Sequence, residues 1–86
     1  MAMHTAPTSL PADWVASLKL PSSEGMYESW IVIHPSNSSY HPLVVHRAYY
    51  FDEGESKGQF AYEHGTYCKD LPEAQKAFTK RSEGWW

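Results

Sequence analysis

Four of the five histidines fall in the middle of the chain, where imidazole groups could bind a metal ion or exchange a proton. His34 and His41 flank a polar segment, and His46 and His64 lie in two apolar segments that could pair as strands. Their spacing matches no established zinc-ligand pattern, and no carboxylate or cysteine joins them with clear geometry. We therefore expect neither metal nor cofactor, and an accessory subunit with a histidine metal site remains an alternative.

The single cysteine, Cys68, could act as a nucleophile with His64 and Glu63 nearby in the sequence. Adjacent residues of a strand point to opposite faces, however, and a lone cysteine is more often a small buried apolar group. One cysteine also excludes an internal disulfide and is typical of a reducing compartment. We predict a protein that is not an enzyme and is cytoplasmic.

Length, composition and net charge limit the classes of partner that the chain could bind. The 86 residues are enough for one domain, and 42% hydrophobic with 15% aromatic residues is too rich for a disordered chain. The net charge of −3 disfavours nucleic-acid backbones and anionic membranes, and no segment approaches the ~20 apolar residues that cross a bilayer. A larger protein or protein complex is the expected partner.

Three segments are predicted to form strands. The central one runs from residue 42 to 52, because it is rich in β-branched and aromatic residues and apolar on both alternating faces. Another covers 26–34 and is stopped by Pro35, which has no N–H to donate. The last covers 59–68, where Gly65 is a candidate bulge.

Helices are predicted on both sides of the strands. Residues 1–8 indicate a flexible leader. In the segment 9–19, Leu10, Trp14 and Leu18 recur every four residues, which favours a short amphipathic helix. A second helix begins at residue 71.

Asp70 and Glu73 give the second helix the clearest local signal in the chain. Asp70 is a good N-cap, and an acidic residue three positions later forms a capping box. The predicted fold is therefore α+β: a short N-terminal helix, a three-stranded antiparallel meander and a C-terminal helix packed on the sheet. Residues 9–86 form its single domain.

A register that places Arg47 opposite Glu63 gives an ion pair and an aromatic pair together. It also makes Tyr50 face Phe60, Ala48 face Tyr62 and His46 face His64, and it puts Trp30 beside His46. The even-numbered face is then the expected core beneath the C-terminal helix. Its members are Met26, Trp30, Val32, Val44, Ala48, Tyr50, Phe60 and Tyr62.

The odd-numbered face is apolar enough to need a cover, and we predict that it is a protein-binding surface. A small non-catalytic adaptor or inhibitor of a larger protein or complex, of the kind that phages and mobile elements encode, is the expected function. Self-pairing of this face into a homodimer is left open, as is an exposed or folded-back position for Trp85 and Trp86. The alternative is a single-stranded nucleic-acid-binding module that uses sheet aromatics and the basic C-terminal helix. The predicted binding residues are Tyr27, Ile31, Ile33, Val45, Arg47, Tyr49, Phe51 and Glu63.

Overall fold

The computed structural model describes residues 7, 9–21 and 27–84, which form one antiparallel sheet and one helix. The sheet has four strands in the order β1-β2-β3-β4, and α1 follows the last of them. The α+β class is confirmed. The elements are β1 (Ala16–Lys19), β2 (Ser29–Pro35), β3 (Leu43–Tyr50), β4 (Phe60–Cys68) and α1 (Leu71–Ser82).

The predicted helix over residues 9–19 is wrong, and so is the count of three strands. β1 lies in that segment and pairs with β2, with Ala16 opposite Ile33 and Leu18 opposite Ile31. Alternate residues of β1 thus point to one side, a period of two that competes with the period of four on which the helix prediction relied. An isolated helix of this length is marginal, whereas the edge of β2 supplies backbone partners.

The predicted register between β3 and β4 is confirmed at Arg47–Glu63, Ala48–Tyr62 and Tyr50–Phe60. Its extension to the other end of β3 is wrong, because the register shifts between Val45 and Arg47.

His64 and Gly65 of β4 together lie opposite His46 of β3, so the predicted pairing of His46 with His64 does not form. The bulge predicted at Gly65 is confirmed. His64 has a φ of 55°, in the left-handed region where few residues other than glycine lie, which is a bulged-strand geometry. The predicted proximity of Trp30 to His46 is also wrong by two residues, since Trp30 pairs with Ala48.

The C-terminal helix begins where its capping residues predict. The Asp70 Oδ1 accepts a hydrogen bond from the Glu73 backbone N–H at 3.0 Å, and the Glu73 Oε2 accepts one from the Lys69 backbone N–H at 3.2 Å. The first bond satisfies a donor that the first turn of a helix leaves without a partner, and the second ties the residue before the cap to that turn. The start of α1 is therefore fixed by residues within five positions of each other.

The helix covers the odd-numbered face of the sheet, so the prediction that it covers the even-numbered face is wrong. Ile31, Ile33 and Val45 form a buried cluster with Cys68 and with Ala74 of α1. Cys68 pairs with Leu43 and points to this side, and only two residues separate β4 from α1. Such a short connection brings the helix back over the face to which the end of β4 points.

Some predictions concern residues outside the described part of the chain. Apart from Pro7, the leader at residues 1–8 is outside it, as are Met26, Trp85 and Trp86. Within the described ranges, no helix has the length and apolar character needed to cross a membrane.

Candidate functional site

Three of the predicted binding residues lie in the core. Ile31, Ile33 and Val45 are fully buried between the sheet and α1. They cannot contact a partner while the domain is folded, and this part of the predicted surface is corrected to core.

The other five predicted binding residues are brought together in two groups. The Tyr49 hydroxyl donates a hydrogen bond to Glu63 Oε1 at 2.6 Å, and the Arg47 guanidinium lies 4.9 Å from the Tyr49 ring centroid. Burial, and then the hydrogen bond to Glu63, raise the pKa of Tyr49. The rings of Tyr27 and Phe51 pack edge to face with centroids 5.1 Å apart. The members of each group contact one another, and their role as a binding surface stays a prediction.

The sheet face opposite α1, which we call the aromatic face, is covered by side-chain rings, and no helix among the described residues lies on it. It has a buried layer in which Trp30, Val32 and Ala48 cluster. The Trp14 ring, from the segment before β1, lies 5.9 Å from Trp30 and 5.0 Å from Phe60, between ring centroids. The members of the aromatic face are Trp30, Val32, His34, Val44, His46, Ala48, Tyr50, Phe60, Tyr62 and Tyr67.

Hydrogen bonds and ring stacking continue from Trp14 across this face. Trp14 Nε1 donates to the Tyr62 hydroxyl at 3.1 Å, and the Tyr62 ring stacks on His34 with centroids 4.7 Å apart at 22°. His34 Nε2 and His46 Nδ1 share a hydrogen bond of 2.8 Å. Four side chains from four different parts of the chain thus fix one another's positions.

Beyond the histidine pair lies a pocket of about 600 Å³ between the aromatic face and the β2–β3 loop. Its loop side is held in shape by serine hydroxyls: Ser36 Oγ accepts from the Ser38 backbone N–H and donates to the His41 carbonyl. Tyr67, at its rim, is 53% exposed. The lining consists of His34, Pro35, Ser36, Asn37, Ser38, His41, Val44, His46 and Tyr67, with no Asp, Glu, Lys or Arg among them.

Gly65 allows the His46 ring to lie against β4 and form one wall of the pocket. A Cβ at this position would lie 2.6 Å from His46 Nε2 and 3.0 Å from its Cδ2, closer than such atoms approach. Gly65 thus positions the ring that bonds His34. A glycine in a strand often marks a close approach of this kind.

Burial favours the neutral form of both histidines. It lowers the pKa of His34, an effect that Asp13 opposes, and it lowers the pKa of His46, to which the charges of His34 and Arg81 add. A hydrogen bond between two imidazoles needs one ring nitrogen to donate and the other to accept, so at least one ring must stay neutral. The lowered pKa values and the bond are consistent.

Acidification is therefore expected to destabilise the fold through His34 and His46. Their folded pKa values lie below the ordinary 6.5, so the unfolded chain binds protons first as the pH falls. The stabilisation is complete above about pH 6.5 and is lost as the pH falls toward the lowered pKa values. Thermal unfolding midpoints between about pH 8 and pH 5 should fall only in the acidic half of the range.

The matched variants are His34→Gln with His46→Gln, and His41→Gln as control. The double variant should have a flatter pH profile than the native chain. The two proteins have the same carboxylates, which contribute equally to both profiles, so the difference between the profiles comes from the two histidines. His41 is exposed and lies outside the pair, so its replacement controls for the loss of an imidazole elsewhere in the chain. Identical acid sensitivity in the native chain and the double variant would show that the pair is not responsible.

The site brings together no obvious reactive group. Cys68 points toward α1, on the other side of the sheet from His34 and His46, and its thiol donates to the Thr66 carbonyl at 3.4 Å. Burial raises the pKa of the Cys68 thiol, which disfavours the nucleophilic thiolate. Within the described ranges, no three His, Cys, Asp or Glu side chains lie close enough together to hold a metal ion.

No protein-family model, curated protein or solved structure matches this chain.

The sequence pattern did not select these residues as a binding site. The alternation predicts that Tyr62 belongs to the buried core, whereas it is 39% exposed, and the pocket depends on how the β2–β3 loop lies against the sheet. One signal is present in the sequence: His34 and His41 flank a run that contains serine and asparagine, which indicates a polar loop. Each of these histidines can donate or accept a hydrogen bond.

Proposed function

We propose that this protein is a small adaptor or inhibitor that binds a larger protein through its aromatic face. The observation that carries the proposal is a pair of half-exposed rings beside a pocket: Tyr62 is 39% and Tyr67 is 53% exposed. Tyrosine offers a large apolar ring with a polar tip and is enriched at protein interfaces, where it often lies at the energetic centre.

The pocket suits an uncharged side chain of the partner. Its lining has no Asp, Glu, Lys or Arg, and burial favours the neutral form of its two paired histidines, His34 and His46. An ion buried there would lose its hydration without gaining a counter-charge, which is costly. The hydroxyls of Ser36 and Ser38 and the Tyr67 ring favour an aromatic or amide group.

Charge placement favours a protein partner over the nucleic-acid alternative. The basic residues Lys76, Lys80 and Arg81 lie on α1, on the opposite side of the sheet from the aromatic rings. One nucleic-acid strand could not contact both the aromatic face and these three cations. Lys19 lies opposite Trp30 in the pairing of β1 with β2, and it forms a 2.6 Å ion pair with Glu28.

Replacing Tyr67 with aspartate is expected to abolish capture of the partner from a lysate of the source organism. A charge at the pocket rim should weaken binding by about 2 kcal/mol or more, which is roughly 30-fold. Thr79→Asp, at an exposed position of α1, changes the charge equally and should retain the same partner. Circular dichroism must show both variants folded.

The same pair of variants separates the other outcomes. Equal capture by the Tyr67 and Thr79 variants would place the interface elsewhere. If the purified chain forms a dimer and Tyr67→Asp abolishes it, the partner that binds this face is a second copy of the chain. Binding of a single-stranded oligonucleotide that weakens steeply with salt would instead support the nucleic-acid alternative.

A further inference from the structure

A second concave region of about 440 Å³ lies on the helix side of the sheet, between β4 and α1. We call it the basic groove. It holds three of the seven Lys and Arg residues of a chain whose net charge is −3. Its lining is Thr66, Cys68, Glu73, Lys76, Ala77, Lys80 and Arg81.

The helix repeat collects these positive charges on one side of α1. Lys76 and Lys80 are four residues apart and therefore neighbours on the helix surface, and Arg81 is the next residue. Cations in the last turns of a helix are also stabilised by its dipole. Within residues 27–84, neither lysine has a carboxylate oxygen within 4 Å.

Arg81 forms the floor of the basic groove. Only 7% of the residue is exposed, and its Nη2 donates a hydrogen bond to Thr66 Oγ1 at 2.7 Å. Burial lowers the pKa of Arg81, yet a guanidinium stays charged in proteins. Because the Thr66 hydroxyl accepts this bond, its own proton can donate to a ligand.

The acidic residue in the lining does not neutralise the groove. Glu73 Oε2 accepts the Lys69 backbone N–H as part of the helix cap, which directs the carboxylate to the start of α1. Three positive charges against one negative charge leave an excess of two.

We propose that the basic groove is a binding site for a phosphate group, free or as a small-molecule monoester. A phosphate monoester carries a charge of about −1.5 to −2 at neutral pH and has several strong acceptor oxygens. Two lysine ammonium groups, the Arg81 guanidinium and the Thr66 hydroxyl supply matching charge and donors. The site is on the other side of the sheet from the aromatic face and does not depend on the proposed protein interface.

The test is a titration of isotope-labelled protein with sodium phosphate, followed by amide chemical shifts at constant ionic strength. Shifts should saturate and be confined to Thr66 and the C-terminal half of α1. Lys76→Gln with Lys80→Gln should weaken the apparent affinity at least about tenfold, since two of the three cations are lost. Lys19→Gln with Lys57→Gln removes the same charge elsewhere and should retain the affinity.

A parallel titration with phenyl phosphate separates the two sources of the group. Saturation by both probes indicates a monoester site, and saturation by inorganic phosphate alone indicates a site for the free ion. Shifts that rise linearly without saturating, or that spread over the whole surface, would overturn the proposal. So would an equal loss of affinity in the two double variants, because the attraction would then be a property of net charge.

Discussion

Replacing Ile31 with alanine is expected to cost about 2–5 kcal/mol of folding stability, the usual range for deleting a fully buried aliphatic side chain. Ile31 has no exposed surface and lies in the cluster that α1 covers. The change removes apolar contacts and leaves a cavity that the paired strands on either side cannot close.

Leu18→Ala is the matched control, because Leu18 lies opposite Ile31 in the register. Leu18 is 41% exposed at the edge of the sheet, so its truncation should cost less than about 1 kcal/mol. Urea denaturation of both variants measures the difference. A binding surface at Ile31 would give the reverse result: near-native stability in the Ile31 variant together with loss of a partner.

Gly65→Ala is expected to destabilise the protein by about 1–3 kcal/mol, as overpacking of a well-packed site does. The new Cβ would lie 2.6 Å from His46 Nε2, so the ring must move. His46 is held by its bond to His34 and by the rings of Tyr62 and Tyr67, and its displacement should break the 2.8 Å bond and reshape the pocket.

A double-mutant cycle with His46→Ala isolates this contact. Without the imidazole, Gly65→Ala meets no ring, and its φ lies outside the left-handed region. The substitution should then be neutral or stabilise by up to about 1 kcal/mol, because alanine restricts the unfolded chain. Equal destabilisation in both backgrounds, measured by chemical denaturation, would mean that the backbone of the bulge is strained and the ring is not the cause.

Local features of the sequence predicted what local physics controls. Asp70 and Glu73 placed the start of α1 correctly because their partners are backbone groups within four residues. The Arg47–Glu63 register was also predictable, since one choice placed opposite charges across from each other and Tyr50 across from Phe60. The bulge at Gly65 followed from the conformational freedom of glycine in a strand.

The N-terminal segment was ambiguous until the edge of β2 was present. Leu10, Trp14 and Leu18 have helical spacing, but Ala16 and Leu18 also alternate as strand residues. Pairing with β2 supplies backbone hydrogen bonds that a short isolated helix lacks, and it places Trp14 over the aromatic face. Local propensity was overridden by a partner distant in the chain.

The choice of face was decided by tertiary structure alone. Alternation with a period of two divides the strands into two sets of side chains, and both sets here are apolar, so the pattern does not say which one the helix covers. The bulge at His64 and Gly65 shifts the alternation of β4, and Cys68 and the two-residue connection then direct α1 onto Ile31 and Val45. The sequence by itself determined three of the four strands and the start of the helix. Pairing with β2 decided the fourth strand, and the bulge and the short connection decided which surface became core and which became the aromatic face.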